Sequence, residues 1–228
     1  MNIANALGKA QIKYNLYAPR QLSSDPFCAF DGGPRDLFTK LFDDVDGIIA
    51  VMAVGIVVRG IASHIANKKT DPAVVVVDDL GKYAISLLSG HIGGANRLAK
   101  IIAPEIGAIP IITTATELLG KRSVEEIAEE LGLTIVNFES LTPVNAAIVN
   151  DLKVLVAALR GVACPRIEDV EPKFISDMDQ LKQMMKDYDA GIVIVPTALT
   201  LQGLTKPVAI LTPKSSLRLS EGNDDLQS

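Results

Sequence analysis

Tryptophan is absent from this chain, aromatic residues make up only 4% of it, and its 228 residues include two cysteines and two histidines. Each scarcity excludes something. With so few aromatic platforms, stacking on single-stranded nucleic acid is not expected, and a net charge of −5 argues against bulk attraction to nucleic acid or an acidic membrane surface. Cys28 and Cys164 stand far apart with no neighbouring ligand residues. That predicts reduced thiols, with neither a disulfide framework nor a zinc site. The longest apolar run, 47–58, falls well short of the roughly 20 residues a membrane helix needs. The opening MNIANALGKA lacks the apolar segment of a signal peptide, so a cytoplasmic protein is expected. Neither GxGxxG nor GxxxxGK[ST] occurs, so nothing supports a dinucleotide fingerprint or a P-loop.

What the chain does have is apolar residue, 48% of the whole, in short runs separated by turn signals. Continuous runs such as GIIAVMA at 47–53 suit strands buried on both faces of a parallel sheet. Helical spacing alternates with them. The expected fold class is α/β: a three-layer, open, mostly parallel sheet with one hairpin strand, followed by a smaller α/β domain. The expected domains are 1–132 and 133–214, with a polar tail at 215–228. Residues 2–10 read as a helix, 11–17 as a strand and 35–42 as a helix. Segments 73–77 and 83–88 read as strands of a hairpin, with Gly81 in its turn. Pro104 is expected to interrupt or end the helix that starts at Ala95. Ser123 and Glu126 have capping-box spacing, and Gly132 stops that helix. In the second domain a helix is expected with Thr142 as cap and Pro143 at its first position. The stripe Ile175, Met178, Leu181, Met185, Tyr188 marks a helix whose methionines read as core.

The stretch 71–116 is the most informative. Two apolar runs lead into the turn SGHIGGAN at 89–96, which holds three of the 17 glycines and His91, and a helix and a third strand follow. Glycine lets backbone approach a neighbour closely, and a helix opening there would aim its free N–H groups at the same place. His91 in such a turn suits a general acid or base, or alternatively only caps its own turn. Arg59, one helical turn after strand 47–53, suits a two-point grip on a carboxylate, or a surface ion pair. Gly55, Ser89, Gly90, Gly93, Gly94, Asn96, Thr113, Thr114 and Thr116 complete the candidate ligand-binding set. Asn96 has the alternative of capping the helix, and His64 reads as structural. Convergence of these loops on one site requires strand 83–88 to run parallel to strand 47–53, and that is the expectation here.

Taken together, GIIAVMAVGIVVRGIA, DPAVVVVDD, ISLLSGHIGGANRLA and PIITTATE resemble, in order and spacing, the N-terminal domain of the CbiG family of anaerobic cobalamin biosynthesis. The segment from about 134 to 214, ending PVAILTPKS, is similar to that family's more variable middle domain. The resemblance implies a cobalt-precorrin-5A hydrolase, which acts on carbon–carbon bonds. Such an enzyme opens the δ-lactone between the ring A acetate and the C20 bridge, then releases acetaldehyde to give cobalt-precorrin-5B. His91 and Arg59, from their settings above, are the expected catalytic pair, while the resemblance implies no resident metal or cofactor, because the substrate carries the cobalt, and a cobalt-corrinoid as ligand. Family members usually continue into a third domain, whereas this sequence stops at PKSSLRLSEGNDDLQS, and a strand expected before residue 1 is missing. A separate C-terminal-domain protein and other corrin-pathway enzymes are therefore expected partners, with neither nucleic acid nor membrane. The oligomeric state stays open, a homodimer included. The alternative is a non-catalytic corrinoid-binding or channelling subunit. A phosphate- or sugar-binding regulator also uses glycine turns at helix heads.

Overall fold

The computed structural model describes residues 2–67, 70–162, 172–197 and 203–214. The chain divides into two compact units, Met1–Thr114 and Ala115–Ser228. The expected boundary after residue 132 therefore moves upstream. The polar tail at 215–228, the charged loop residues 163–171 and Cys164 lie outside the described residues.

The first unit opens with α1 (Ile3–Lys9) and two short parallel strands, β1 (Tyr17–Pro19) and β2 (Cys28–Phe30). The strand expected over 11–17 is pushed to its last residue. Gln11 turns left-handed at φ 57°, and the N–H groups of Ala10, Gln11 and Ile12 go back to the carbonyls of Ala6, Gly8 and Leu7, closing the helix end. Next come α2 (Pro34–Leu41), β3 (Gly47–Val51), α3 (Val54–Ile61), β4 (Ala73–Val77), β5 (Tyr83–Leu88), α4 (Ala95–Ile106) and β6 (Ile109–Ile111). Pro104 stays inside α4 on its exposed side. There, in the last turn, it forgoes a single backbone bond, and Gly107 at φ 71° ends the helix.

The sheet of this unit has the order β3-β4-β5-β6. All five residues of β4 are buried. Ala73, Val75 and Val77 pack with Ala6, Leu7, Ala99 and Ile102 of α1 and α4, while Val74 and Val76 pack with Phe38, Phe42, Val57 and Ile61 around α2 and α3. A strand that is apolar on both faces must have helices on both, which gives three layers.

Strand direction decides where the loops go. β3 and β4 are parallel, β4 and β5 antiparallel, and β5 and β6 parallel. The pair β3/β4 therefore runs against β5/β6. This overturns the expectation that strands 47–53 and 83–88 run the same way. The α3 crossover already returns the chain to the start of β4, and it is the hairpin that reverses it. An irregularity opposite Val74/Val75 then shifts the register, pairing Ser86 with Val75 and Leu88 with Val74. The extra residue brings Leu87 and Leu88 together on the α2/α3 side.

The second unit contains α5 (Ala115–Leu118), α6 (Val124–Glu130), β7 (Leu133–Ile135), α7 (Leu141–Val149), β8 (Val154–Leu159), β9 (Lys173–Ile175), α8 (Met178–Met184), β10 (Ala190–Ile194) and β11 (Val208–Pro213). Its sheet order is β7-β11-β10-β8-β9, parallel except for β7. The capping box holds: Ser123 N–H donates to Glu126 Oε2 at 2.8 Å, and Glu126 N–H to Ser123 Oγ at 3.2 Å. α6 belongs with this unit because Val124 N–H and Glu125 Oε2 both bond the Asn145 side chain of α7, at 2.9 and 2.7 Å. Helix α7 starts two residues earlier than expected, at Leu141 with Ser140 as its cap, which puts Thr142 and Pro143 inside its first turn. Ile175 ends β9, and Asp177 caps α8. Leu181 and Met185 are core residues, as their spacing predicts.

Candidate functional site

Because the two strand pairs oppose each other, one end of the first unit's sheet collects the C-terminal ends of β5 and β6 with the N-terminal ends of β3 and β4. Ser89, Gly90, His91, Gly93, Gly94, Asn96, Thr113 and Thr114 follow β5 or β6 and come to this end. Gly55 and Arg59 follow β3 and come to the other. Thr116 is buried in α5 of the second unit. The single convergent site expected from the sequence is therefore divided, and Arg59 does not join His91. Arg59 is exposed, and its Nη1 donates to the Gly55 carbonyl at 3.2 Å.

The glycine turn closes on itself. Ala95 N–H donates to the Ser89 carbonyl at 3.1 Å, Asn96 N–H to the Gly90 carbonyl at 3.0 Å, and Gly94 N–H to the His91 carbonyl at 3.1 Å. Two of the helix N-terminal donors expected to await a ligand are thus engaged by the turn's own carbonyls. Gly94 is left-handed at φ 86°. Gly93 is needed for space: a Cβ there would lie 2.4 Å from Ser89 Cβ and 2.9 Å from the Ser89 carbonyl oxygen. Gly90 packs against Asn96, whose Oδ1 would stand 2.8 Å from an added Cβ.

Asn96, 4% exposed, ties three elements together. Its Oδ1 accepts from Ser86 Oγ of β5 at 2.7 Å, and its Nδ2 donates to Thr114 Oγ1 after β6 at 3.1 Å. Neither of its two expected roles, ligand donor or helix cap, describes these bonds. Ser89 is the opposite case. It is left-handed at φ 55°, and its Oγ is buried with no hydrogen-bond partner.

At the same end lies a cavity of about 490 Å³ lined by Asp43, Asp44, Val45, Asp46, Thr70, Asp71, Pro72, Ile92 and Gly93. Of its aspartates, Asp43, Asp44 and Asp46 were not legible as site residues in the sequence. Asp43, Asp44 and Asp46 precede β3, and only the reversed hairpin brings that segment to the side where β5 ends. Asp71, 7% exposed, holds the loop before β4 by accepting from the backbone N–H groups of Ala66 and Asn67 at 3.1 and 3.0 Å. His64 is structural, as expected. His64 Nε2 lies in a hydrogen bond of 3.1 Å with Thr39 Oγ1, which is also 3.0 Å from the Arg35 carbonyl. Its ring also packs on Phe42, with centroids 5.8 Å apart. Among the described residues no group of three or more His, Cys, Asp or Glu side chains is placed to share a metal ion. No helix among them is long and apolar enough to cross a membrane.

The fold and this end define a two-unit α/β protein whose first unit carries a glycine turn beside an acidic cavity. Family comparison gives the rest. Residues 36–117 match the family model "Cobalamin synthesis G N-terminal", and residues 122–213 match "Cobalamin biosynthesis central region". The chain belongs to the CbiG family of cobalamin biosynthesis. It is 42% identical over 132 residues to a cobalt-precorrin-5A hydrolase of Priestia megaterium, an alignment covering 58% of this chain and 35% of that protein. It is 38% identical over 122 residues to a cobalt-precorrin-5A hydrolase of Salmonella typhimurium, covering 54% of this chain and 35% of that protein. These matches span about a third of either relative. A crystal structure of a cobalamin biosynthesis protein G homolog from Sulfolobus solfataricus is similar, with a TM-score of 0.48 and 23% identity over 92% of this chain and 55% of that one.

Proposed function

We propose that this chain binds cobalt-precorrin-5A and hydrolyses its δ-lactone, with loss of acetaldehyde to give cobalt-precorrin-5B. The observation that carries the reading is the pair of family matches, N-terminal and central regions in order, with the glycine turn inside the first. Cobalt arrives within the substrate, and the reaction belongs to the cytoplasm.

The chemistry asks for an activated water, a donor for the developing oxyanion and a proton for the departing ring oxygen. His91, in the turn beside the cavity, is the proposed acid–base group, imidazole being the side chain that exchanges protons near neutral pH. The lining aspartates set the orientation. A corrinoid rich in carboxylates is repelled by Asp43, Asp44, Asp46 and Asp71, whereas a lactone is uncharged. The lactone edge therefore enters, and the acid side chains of the macrocycle point outward.

One observation favours a second reading. Arg59 and His91, the two residues expected from the sequence to be catalytic, come to opposite ends of the sheet, as expected of a corrinoid-binding subunit that depends on a partner chain for chemistry. Incubating the chain with cobalt-precorrin-5A and assaying acetaldehyde separates the two. Release of acetaldehyde supports the hydrolase. Measurable binding without acetaldehyde overturns it in favour of the binding subunit.

A further inference from the structure

Ser86 and Ser89 lie three residues apart at the end of β5 and differ in one respect. Ser86 Oγ donates to Asn96 Oδ1 at 2.7 Å, whereas Ser89 Oγ is shut in without a partner. Buried polar groups are nearly always hydrogen-bonded, so an exception calls for a reason. Ser89 also has a φ of 55°, a conformation that disfavours residues with a side chain. Two unfavourable features at one residue persist only where the surrounding turn imposes them. Here the turn does so through three backbone bonds, Gly94 to His91, Ala95 to Ser89 and Asn96 to Gly90. Gly93 links this residue to the cavity, because it lines the cavity and its bare Cα faces Ser89 Cβ.

We propose that the Ser89–Gly94 turn opens when ligand binds, delivering the Ser89 hydroxyl and the Ala95 and Asn96 amides, all engaged or shut in here, to one oxygen of the ligand. The inference rests on the corrinoid reading above and names the donors for its lactone carbonyl. Opening exchanges two internal carbonyl acceptors, Ser89 and Gly90, for a ligand oxygen that gains negative charge as water adds. The N-terminus of the 12-residue α4 favours that charge. The Ser86–Asn96–Thr114 bonds stay made and anchor the helix while the turn moves.

The test compares Ser89→Ala with Ser86→Ala in the full chain, reading thermal unfolding, cobalt-precorrin-5A binding and acetaldehyde release. Ser89→Ala removes a hydroxyl that has no partner, so its Tm is expected to equal or exceed that of the wild type. Its turnover is expected to fall about 100-fold or more, the size seen when one oxyanion donor is lost. Ser86→Ala strands Asn96 Oδ1 and is expected to lower Tm. A lowered Tm for Ser89→Ala, or unchanged turnover, overturns the proposal. A wild-type chain that neither binds nor turns over the corrinoid instead overturns the reading on which the proposal rests.

Discussion

Asn96 Nδ2 donates to Thr114 Oγ1 across 3.1 Å, joining the first turn of α4 to the end of β6 while Asn96 Oδ1 holds Ser86 of β5. One buried amide thus ties the helix that follows the glycine turn to β5 and to the segment after β6. Asn96→Ala leaves two hydroxyls without their partner in a closed environment. The expected loss is about 2–3 kcal/mol, checked by urea unfolding with an unchanged m-value.

Gly93 is the closest backbone approach in the turn, with Ser89 and Ala73 around the place a Cβ would take. Gly93→Ala forces the turn away from β4. A destabilisation of about 1–3 kcal/mol is expected from overpacking. Gly94→Ala meets no atom within 4 Å and suffers only from its φ of 86°. Thermal unfolding of the two variants should therefore show the larger drop for Gly93→Ala.

The hairpin that reverses the sheet depends on Asp78. Its carboxylate accepts from Tyr83 N–H at 2.7 Å and Leu80 N–H at 3.2 Å, and the Tyr83 bond above all holds its pKa below the ordinary 3.8. A folded pKa below the unfolded one contributes stability that is fully present above pH 3.8 and lost as pH falls through the folded value. Asp78→Asn removes that dependence. Acid unfolding followed by circular dichroism should show a shallower loss of stability below pH 3.8 in the variant than in the wild type.

Lys121 closes the C-terminus of α7: its Nζ donates to the carbonyls of Ile148 and Val149 at 2.9 and 2.8 Å and pairs with Asp151 at 2.8 Å. A cation on terminal carbonyls satisfies acceptors the helix cannot. Lys121→Met keeps the stem and removes the charge. A loss of about 1–2 kcal/mol is expected in denaturant unfolding of the second unit.

Much of the architecture is legible in the sequence because it rests on local chemistry. The all-apolar β4, the Ser123–Glu126 capping box and the left-handed Gly81 and Gly132 declare themselves by residue type. Relative strand direction does not. The hairpin at Asp78–Lys82 is readable, yet whether β3 joins β4 in parallel or antiparallel fashion depends on how the α3 crossover packs. That one choice moved Arg59 away from His91 and brought the acidic segment before β3 to the glycine turn. The engagement of the α4 amides was hidden for a similar reason. A glycine turn that cradles an anion and one that caps its own helix share the same residue types and differ only in backbone path.

The acidic cavity gives the corrinoid reading a salt signature. Asp43 and Asp44 are exposed on its rim, where charge acts over about 10 Å at 0.1 M salt. The double variant Asp43→Asn, Asp44→Asn should lower KM for cobalt-precorrin-5A a few-fold at low ionic strength. In 1 M salt, where screening shortens to about 3 Å, the advantage should vanish.

On the proposed function, lactone hydrolysis takes place at the end of the sheet where β5 and β6 finish, away from Arg59. Acetaldehyde release from cobalt-precorrin-5A by His91→Ala and Arg59→Ala, each shown by circular dichroism to be folded, tests it most directly. The account predicts that His91→Ala loses about 100-fold or more, as expected for an acid–base group, while Arg59→Ala keeps near-wild-type turnover. Loss in Arg59→Ala with full turnover in His91→Ala would contradict it and put the chemistry at the opposite end.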